Sequence, residues 1–234
     1  MCRKLIYLIP FVFVMVFAFV GAAQAVNVLT NGGFEDRDPG DFDGWTRQGI
    51  DYGITGVWFW GDGTAAINTT DAYEGLASAD FYTAGGWSGG AGVFQEILIG
   101  GGVPVSISAY VKGAGGNGAS IDMVFFDFNH FEEVQIPSNI GKVALSIGGG
   151  VLIPGGGVLY TGPISGSLGA ADALGWQYGV LNAVTPAGTM CMKFEVNNNG
   201  GTGDLLFDNV VGTPEPATIA LLGLGGLALI RRKR

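Results

Sequence analysis

Cysteine, histidine and basic residues are all scarce in this chain. Two cysteines occur in 234 residues, Cys2 and Cys191. Cys2 lies in the first residues of an apolar leader, so the body of the protein has one thiol and no intramolecular disulfide. A single histidine, His130, and a single internal cysteine are too few for the common zinc sites. His130 would also have to serve any Ser-His-Asp machinery, and no Gly-x-Ser-x-Gly elbow accompanies it. Six of the eleven cations sit at the two ends (Arg3, Lys4, Arg231, Arg232, Lys233, Arg234), with only one of the twenty acids, Glu215. Residues 26–213 therefore keep five basic against nineteen acidic groups, a net charge of −14. Such a body repels nucleic acid and anionic membrane surfaces and attracts cations such as Ca²⁺. No long window between the ends shows helical periodicity, which excludes a helical bundle.

What is abundant is glycine, 43 residues, about 18% against a usual ~7%. Between the glycine clusters the apolar residues alternate. Val105, Ile107, Ala109 and Val111 share one face of Val105–Lys112, and Ser106, Ser108, Tyr110 and Lys112 the other. Met190, Met192, Phe194 and Val196 oppose Cys191, Lys193 and Glu195, which makes Cys191 a half-buried packing residue. Val93–Ile99, Ile121–Phe128, Val143–Ile147 and Leu205–Val211 read the same way. Period-two runs bounded by Gly, Pro and Asn clusters predict antiparallel strands with one buried face, hence an all-β sandwich. Residues 148–172 read as a Gly-rich insertion between strands.

Both ends are addresses. Arg3 and Lys4 precede the apolar stretch Leu5–Val20, and Ala23-Gln24-Ala25 is a small-x-small cleavage site. Residues 1–25 thus read as a secretory signal peptide, cut after Ala25. At the other end Pro214-Glu215-Pro216 precedes an uncharged apolar run, Ala217–Ile230, and then Arg231, Arg232, Lys233 and Arg234. Fourteen residues are short for a transmembrane helix, which needs about 20. Snorkelling Arg and Lys stems and local thinning narrow the gap. The cations would stay cytoplasmic by the positive-inside rule.

This tripartite tail, residues 213–234, resembles the PEP-CTERM sorting signal of exported bacterial proteins. The resemblance implies export, transient anchoring in the inner membrane, recognition and cleavage by an exosortase, and release to the cell surface or an exopolysaccharide and biofilm matrix.

A second resemblance runs through residues 26–213. Asn31-Gly-Gly-Phe-Glu35 with Gly44-Trp45, Glu74-Gly-Leu-Ala-Ser78, the Gln-bearing run 93–99 and Asp208-Asn-Val210 follow one another as in galactose-binding-like jelly rolls. These are similar to the carbohydrate-binding modules that accompany xylanases and cellulases. The resemblance implies a structural Ca²⁺ held by Glu35 and Asp208 with main-chain oxygens, and a core role for Trp45. A sugar site would need aromatic platforms and polar side chains. Trp58, Trp60, Tyr82, Trp87, Tyr110 and Trp176 are the candidates, with exposure or burial of Trp58, Trp60 and Trp87 left open. No carboxylate spacing marks a glycosidase pair. Asp36, Asp38, Asp41 and Asp43 lack the glycine and closing glutamate of a calcium loop, and Glu132-Glu133 would point to opposite faces of a strand. The reading is a non-catalytic exported protein that binds extracellular polysaccharide. A structural envelope protein without a small ligand, and a polysaccharide hydrolase or lyase, are the alternatives.

Overall fold

The computed structural model describes residues 27–36, 42, 45, 55–84, 89–113, 119–127, 139–148, 152–154, 160, 162–199 and 203–214, with backbone alone for 55–60, 139 and 152–154. Residues 1–26, read above as a signal peptide and its cleavage site, Trp87, His130, Glu132, Glu133 and residues 215–234 lie outside them. Asn27–Thr213 forms one compact unit. Among the described residues no helix is long and apolar enough to cross a membrane.

Twelve strands form in chain order: β1 Thr55–Gly61, β2 Thr64–Asn68, β3 Ser78–Thr83, β4 Gly89–Leu98, β5 Pro104–Gly113, β6 Ala119–Phe126, β7 Asn139–Ser146, β8 Leu152–Pro154, β9 Ile164–Leu168, β10 Trp176–Val184, β11 Cys191–Asn199 and β12 Gly203–Pro214. They make two six-stranded sheets, ordered β1-β4-β11-β6-β7-β8 and β2-β3-β12-β5-β10-β9. The inner four strands of each sheet, β4-β11-β6-β7 and β3-β12-β5-β10, interleave in sequence as a jelly roll does. The consecutive strands β1 and β2 each add an edge strand, one to each sheet, and β8 and β9 add the opposite edges. The stretch read as a Gly-rich insertion therefore supplies two edge strands.

The alternation seen in sequence builds the core. Val105, Ile107, Ala109 and Val111 of β5 meet Met192, Phe194 and Val196 of β11 in one buried cluster with Ile121, Met123, Phe125, Phe81 and Phe207. Side chains alternate across a strand, so the intervening residues face outward. Met190 departs from the expected stripe: it precedes β11 and is 53% exposed. Cys191 is fully buried, not half-buried, because Val124 and Phe126 of β6 cover it on the outer side of the first sheet. The expected run to Phe128 ends as a strand at Phe126. β10 escaped the sequence pattern because its core face holds Gly179 and Ala183 beside Leu181, while Val180 and Val184 sit on the other.

The opening segment is fastened to the last strand. Val28 N–H donates to the Gly212 carbonyl at 2.8 Å, and Val210 N–H to that of Gly32 at 2.8 Å. A Cβ on Gly32 would collide with the Val210 carbonyl, so only glycine allows this approach. Phe34 adopts φ 56°, rare for an aromatic residue. Burial holds it there: its ring is fully buried, stacked on Trp45 at 5.6 Å and edge-on to Phe42 at 6.0 Å. Trp45 is in the core, and its Nε1–H donates to the Asn31 carbonyl at 2.9 Å.

Candidate functional site

The outer side of the first sheet is unusually polar for a surface so little exposed. Its outward positions are Phe94 and Glu96 on β4, Lys193, Glu195 and Asn197 on β11, Ser120 and Asp122 on β6, and Lys142 on β7. Antiparallel register lines them into rows. Glu195 lies opposite Phe94 on one side and Asp122 on the other, and Lys193 opposite Glu96 and Val124. Lys142 is opposite Val124. Directly opposed side chains are close enough to interact. Two of the body's five cations thus stand within one small face that also carries three carboxylates.

These groups are bonded to one another. Lys142 Nζ meets Asp122 Oδ2 at 2.6 Å, and Lys193 Nζ meets Glu195 Oε2 at 2.8 Å. Asn197 Nδ2 donates to the same Asp122 oxygen at 3.2 Å, and Lys193 also lies 4.9 Å over the Phe94 ring. Asp122 is 1% exposed, and among the described residues its Oδ1 has no hydrogen-bond partner. Burial lifts the Asp122 carboxyl above its ordinary range; Lys142 draws it down and Glu195 pushes it up. Burial lowers Lys142, but the two carboxylates outweigh it and hold the ammonium charged above its ordinary value. Asp122 and Glu195 thus face Lys142 and Lys193, and among the described residues one Asp122 oxygen is left without a donor. A buried, unmatched acceptor costs free energy unless something donates to it.

The aromatic candidates do not form one site. Trp58 and Trp60 stand on β1 of the first sheet, in register with Gly92 and Gly90 of β4. These are the alternate positions that continue along β4 to Phe94. Tyr82, Tyr110 and Trp176 stand on β3, β5 and β10 of the second sheet. Tyr82 is 40% exposed, whereas Trp176 is 2% exposed. Trp176 is no platform, because Tyr73 meets its ring edge-on at 6.0 Å and Lys112 lies 5.8 Å over it. Tyr110 gives one ring face to Tyr73, at 3.4 Å between centroids, and tilts against Tyr178 at 5.1 Å.

Glu35 and Asp208 flank Gly33, where an added Cβ would come 3.8 Å from Glu35 Cγ and 3.9 Å from Asp208 Oδ1. Both accept backbone amides. Glu35 Oε1 takes the N–H groups of Leu76 and Ala77 at 2.7 and 2.9 Å. Asp208 Oδ2 takes those of Tyr73 and Glu74 at 2.8 and 3.0 Å, and Oδ1 that of Asn209 at 2.6 Å. Burial raises the Asp208 carboxyl, the three N–H groups lower it, and Glu35 raises it again. Among the described residues no group of three or more Asp, Glu, His or Cys is placed to hold a metal. A calcium ion takes six to eight oxygens, and here the 73–77 turn offers these carboxylates amide hydrogens instead of carbonyls.

Sequence reasoning overlooked Asp122, Lys142, Asn197 and the pairing of Lys193 with Glu195. The signal was available: charges alternate with core residues in Ile121-Asp-Met123 and Met192-Lys-Phe-Glu-Val196, a pattern shared with any solvent-facing strand.

No curated protein matches the chain in sequence. Among solved structures, the enzymatically active domain of bacteriophage CBA120 tailspike protein 4 is similar at 13% identity and TM-score 0.48, over 81% of this chain and 21% of that one. This chain therefore spans about a fifth of the tailspike chain's length. The CBM22-1 xylan-binding domain of Paenibacillus barcinonensis Xyn10C is similar at 14% identity and TM-score 0.42, over 83% and 98%. TmCBM61, solved with β-1,4-galactotriose, is similar at 14% and 0.42, over 82% and 100%. Residues 213–234 match the family described as the PEP-CTERM protein-sorting motif. The chain joins an antiparallel jelly-roll domain to a PEP-CTERM protein-sorting motif.

Proposed function

We propose that this is an exported, non-catalytic protein whose jelly roll binds polysaccharide on the outer side of the first sheet. The supporting observation is the buried polar row of Asp122, Glu195 and Asn197 beside the partly exposed Lys142, in which one Asp122 oxygen has no hydrogen-bond partner among the described residues. Sugar hydroxyls are donors and acceptors at once. On opening of the row a hydroxyl would donate to Asp122 Oδ1, and the lysine and amide N–H groups would donate to the oxygens of neighbouring hydroxyls. Phe94, partly exposed beside Lys193, supplies an apolar surface for a ring face. The sorting motif supports export, membrane anchoring through residues 217–230, and processing by an exosortase near Pro214-Glu215-Pro216; the cell surface or extracellular matrix is the destination.

A panel of neutral and acidic polysaccharides tests this reading. Saturable binding that weakens in Asp122→Asn and Glu195→Gln, with each variant shown to remain folded, is the expected result. A blank panel with folded protein would favour a structural envelope protein that carries no small ligand. Reducing-end release from any glycan would instead move the assignment to a hydrolase or lyase.

Calcium at Glu35 and Asp208 is a separate proposal, supported by two neighbouring carboxylates in an acidic body. Binding requires the 73–77 turn to exchange amide hydrogens for carbonyl oxygens. Titration calorimetry with Ca²⁺ decides it: no heat and no rise in melting temperature would remove the ion.

A further inference from the structure

We propose that the pole of the sandwich formed by residues 98–104 and 185–190 seats on the lipid bilayer surface while the protein is anchored. The inference rests on the tail reading above. β12 runs to Pro214, so three residues separate Thr213 from the apolar run at Ala217. The four steps from Thr213 to Ala217 reach at most about 14 Å, which leaves the domain only a short tether to whatever holds that run.

The pole that ends at Thr213 is identifiable. Thr213 Oγ1 shares a 2.7 Å hydrogen bond with Ser106 near the start of β5, and Pro104 pairs with Val184 at the end of β10. The connections from β4 to β5 and from β10 to β11 therefore lie at this pole. Neither residues 98–104 nor residues 185–190 contain a charge, in a body of net charge −14. Leu98 and Met190 project from them, 58% and 53% exposed. They are neighbours, since Ile99 N–H donates to the Met190 carbonyl at 3.2 Å. Acids flank these loops: Glu96 stands two residues before Leu98, and the connection that leaves β6 at Phe126, whose carbonyl accepts from Met190 N–H, carries Asp127, Glu132 and Glu133. Those acids and the net charge favour a zwitterionic over an anionic surface.

The tip also meets the demand that an apolar interface makes on backbone groups. Gly102 N–H donates to the Thr185 carbonyl and Thr185 N–H to that of Val103, both at 2.9 Å. The Thr185 hydroxyl accepts from Val103 N–H and donates to the Gly100 carbonyl. Gly101 lies flat on the Pro186–Gly188 backbone, where a Cβ would come 2.6 Å from the Pro186 carbonyl. Two loops are thus locked into one uncharged tip with Leu98 and Met190 outermost.

The test uses the chain from Val26 to Arg234, which lacks Cys2 and the apolar leader, in phosphatidylcholine nanodiscs, bearing bimane at Leu98→Cys or, as control, at Tyr178→Cys on the outer side of the second sheet. Cys191 is buried, and labelling of the parent checks that it stays unreactive. Apolar groups at the interface sit roughly 5–10 Å into the headgroup boundary, so lipids brominated high on the chain should quench the Leu98 label about twofold or more and leave the Tyr178 label unchanged. Met190→Asp should bring the Leu98 signal to the control level with far-UV dichroism unaltered. Co-elution with discs and an unquenched Leu98 label would overturn the docking alone. Failure to co-elute would remove the anchored reading and the docking with it.

Discussion

Replacing Lys142 with methionine keeps the aliphatic stem and removes the ammonium group 2.6 Å from Asp122. Asp122 then stays 1% exposed, with Glu195 directly across the strand pair. Removing one partner of a buried ion pair costs about 3–5 kcal/mol. The Lys142 side chain is 31% exposed, so solvent screens part of the loss and about 2–3 kcal/mol is expected. In a domain of this size that lowers the melting temperature by roughly 5–10 °C. The pH dependence has a definite sign. Burial raises the folded Asp122 carboxyl, and removing Lys142 raises it further, so the folded state binds this proton more tightly than the unfolded chain. The cost of Lys142→Met is full at neutral pH and shrinks as pH falls toward the raised value, because a protonated carboxyl needs no cation. Urea unfolding of wild type, Lys142→Met, Asp122→Asn and the double variant at two pH values measures this. The double variant should be less destabilised than the sum of the singles. A Lys142→Met loss below about 0.5 kcal/mol that ignores pH would refute the buried-pair reasoning.

Three further outcomes follow from the fold. Asp208→Ala removes the acceptor of three backbone N–H groups and should cost about 3 kcal/mol by urea unfolding; a loss under about 1 kcal/mol would mean that the 73–77 turn finds other acceptors. Gly32→Ala places a methyl group against the Val210 carbonyl and should open the contact of residues 27–36 with β12, seen as faster hydrogen exchange at Val28 and Val210. The carboxyls of Asp80, Asp122 and Asp208 are all raised above the ordinary 3.8, chiefly by burial. Their linkage adds stability below 3.8 that is lost as pH rises through the raised values. Melting between roughly pH 4 and 7 should therefore show stability from these groups increasing toward the acid side, and a monotonic acid loss already beginning near neutrality would contradict it.

The sandwich was legible wherever large apolar residues alternate with polar ones, as in β5 and β11. It was hidden where glycine and alanine fill core positions, as in β10, and where short edge strands carry too few side chains for a pattern, as in β8 and β9. The Asn31–Glu35 motif was legible as a whole, since its glycine and phenylalanine have backbone reasons that only packing on β12 enforces. The candidate site was legible only in part. Large aromatics drew attention, yet Trp176 is covered by Tyr73 and Lys112, residues about a hundred and about sixty positions away in sequence. The polar face consists of ordinary Asp, Lys, Glu and Asn residues on four strands. Nothing in any one strand reveals that its neighbours turn these groups into a buried network.

The most direct test compares polysaccharide binding by wild type with Asp122→Asn, Glu195→Gln and Tyr178→Ala, each shown to be folded. Binding on the first sheet requires Asp122→Asn and Glu195→Gln to weaken it about tenfold, the worth of roughly one lost charge-assisted hydrogen bond, with Tyr178→Ala unchanged. Full binding by the first two variants, or loss confined to Tyr178→Ala, would contradict that assignment.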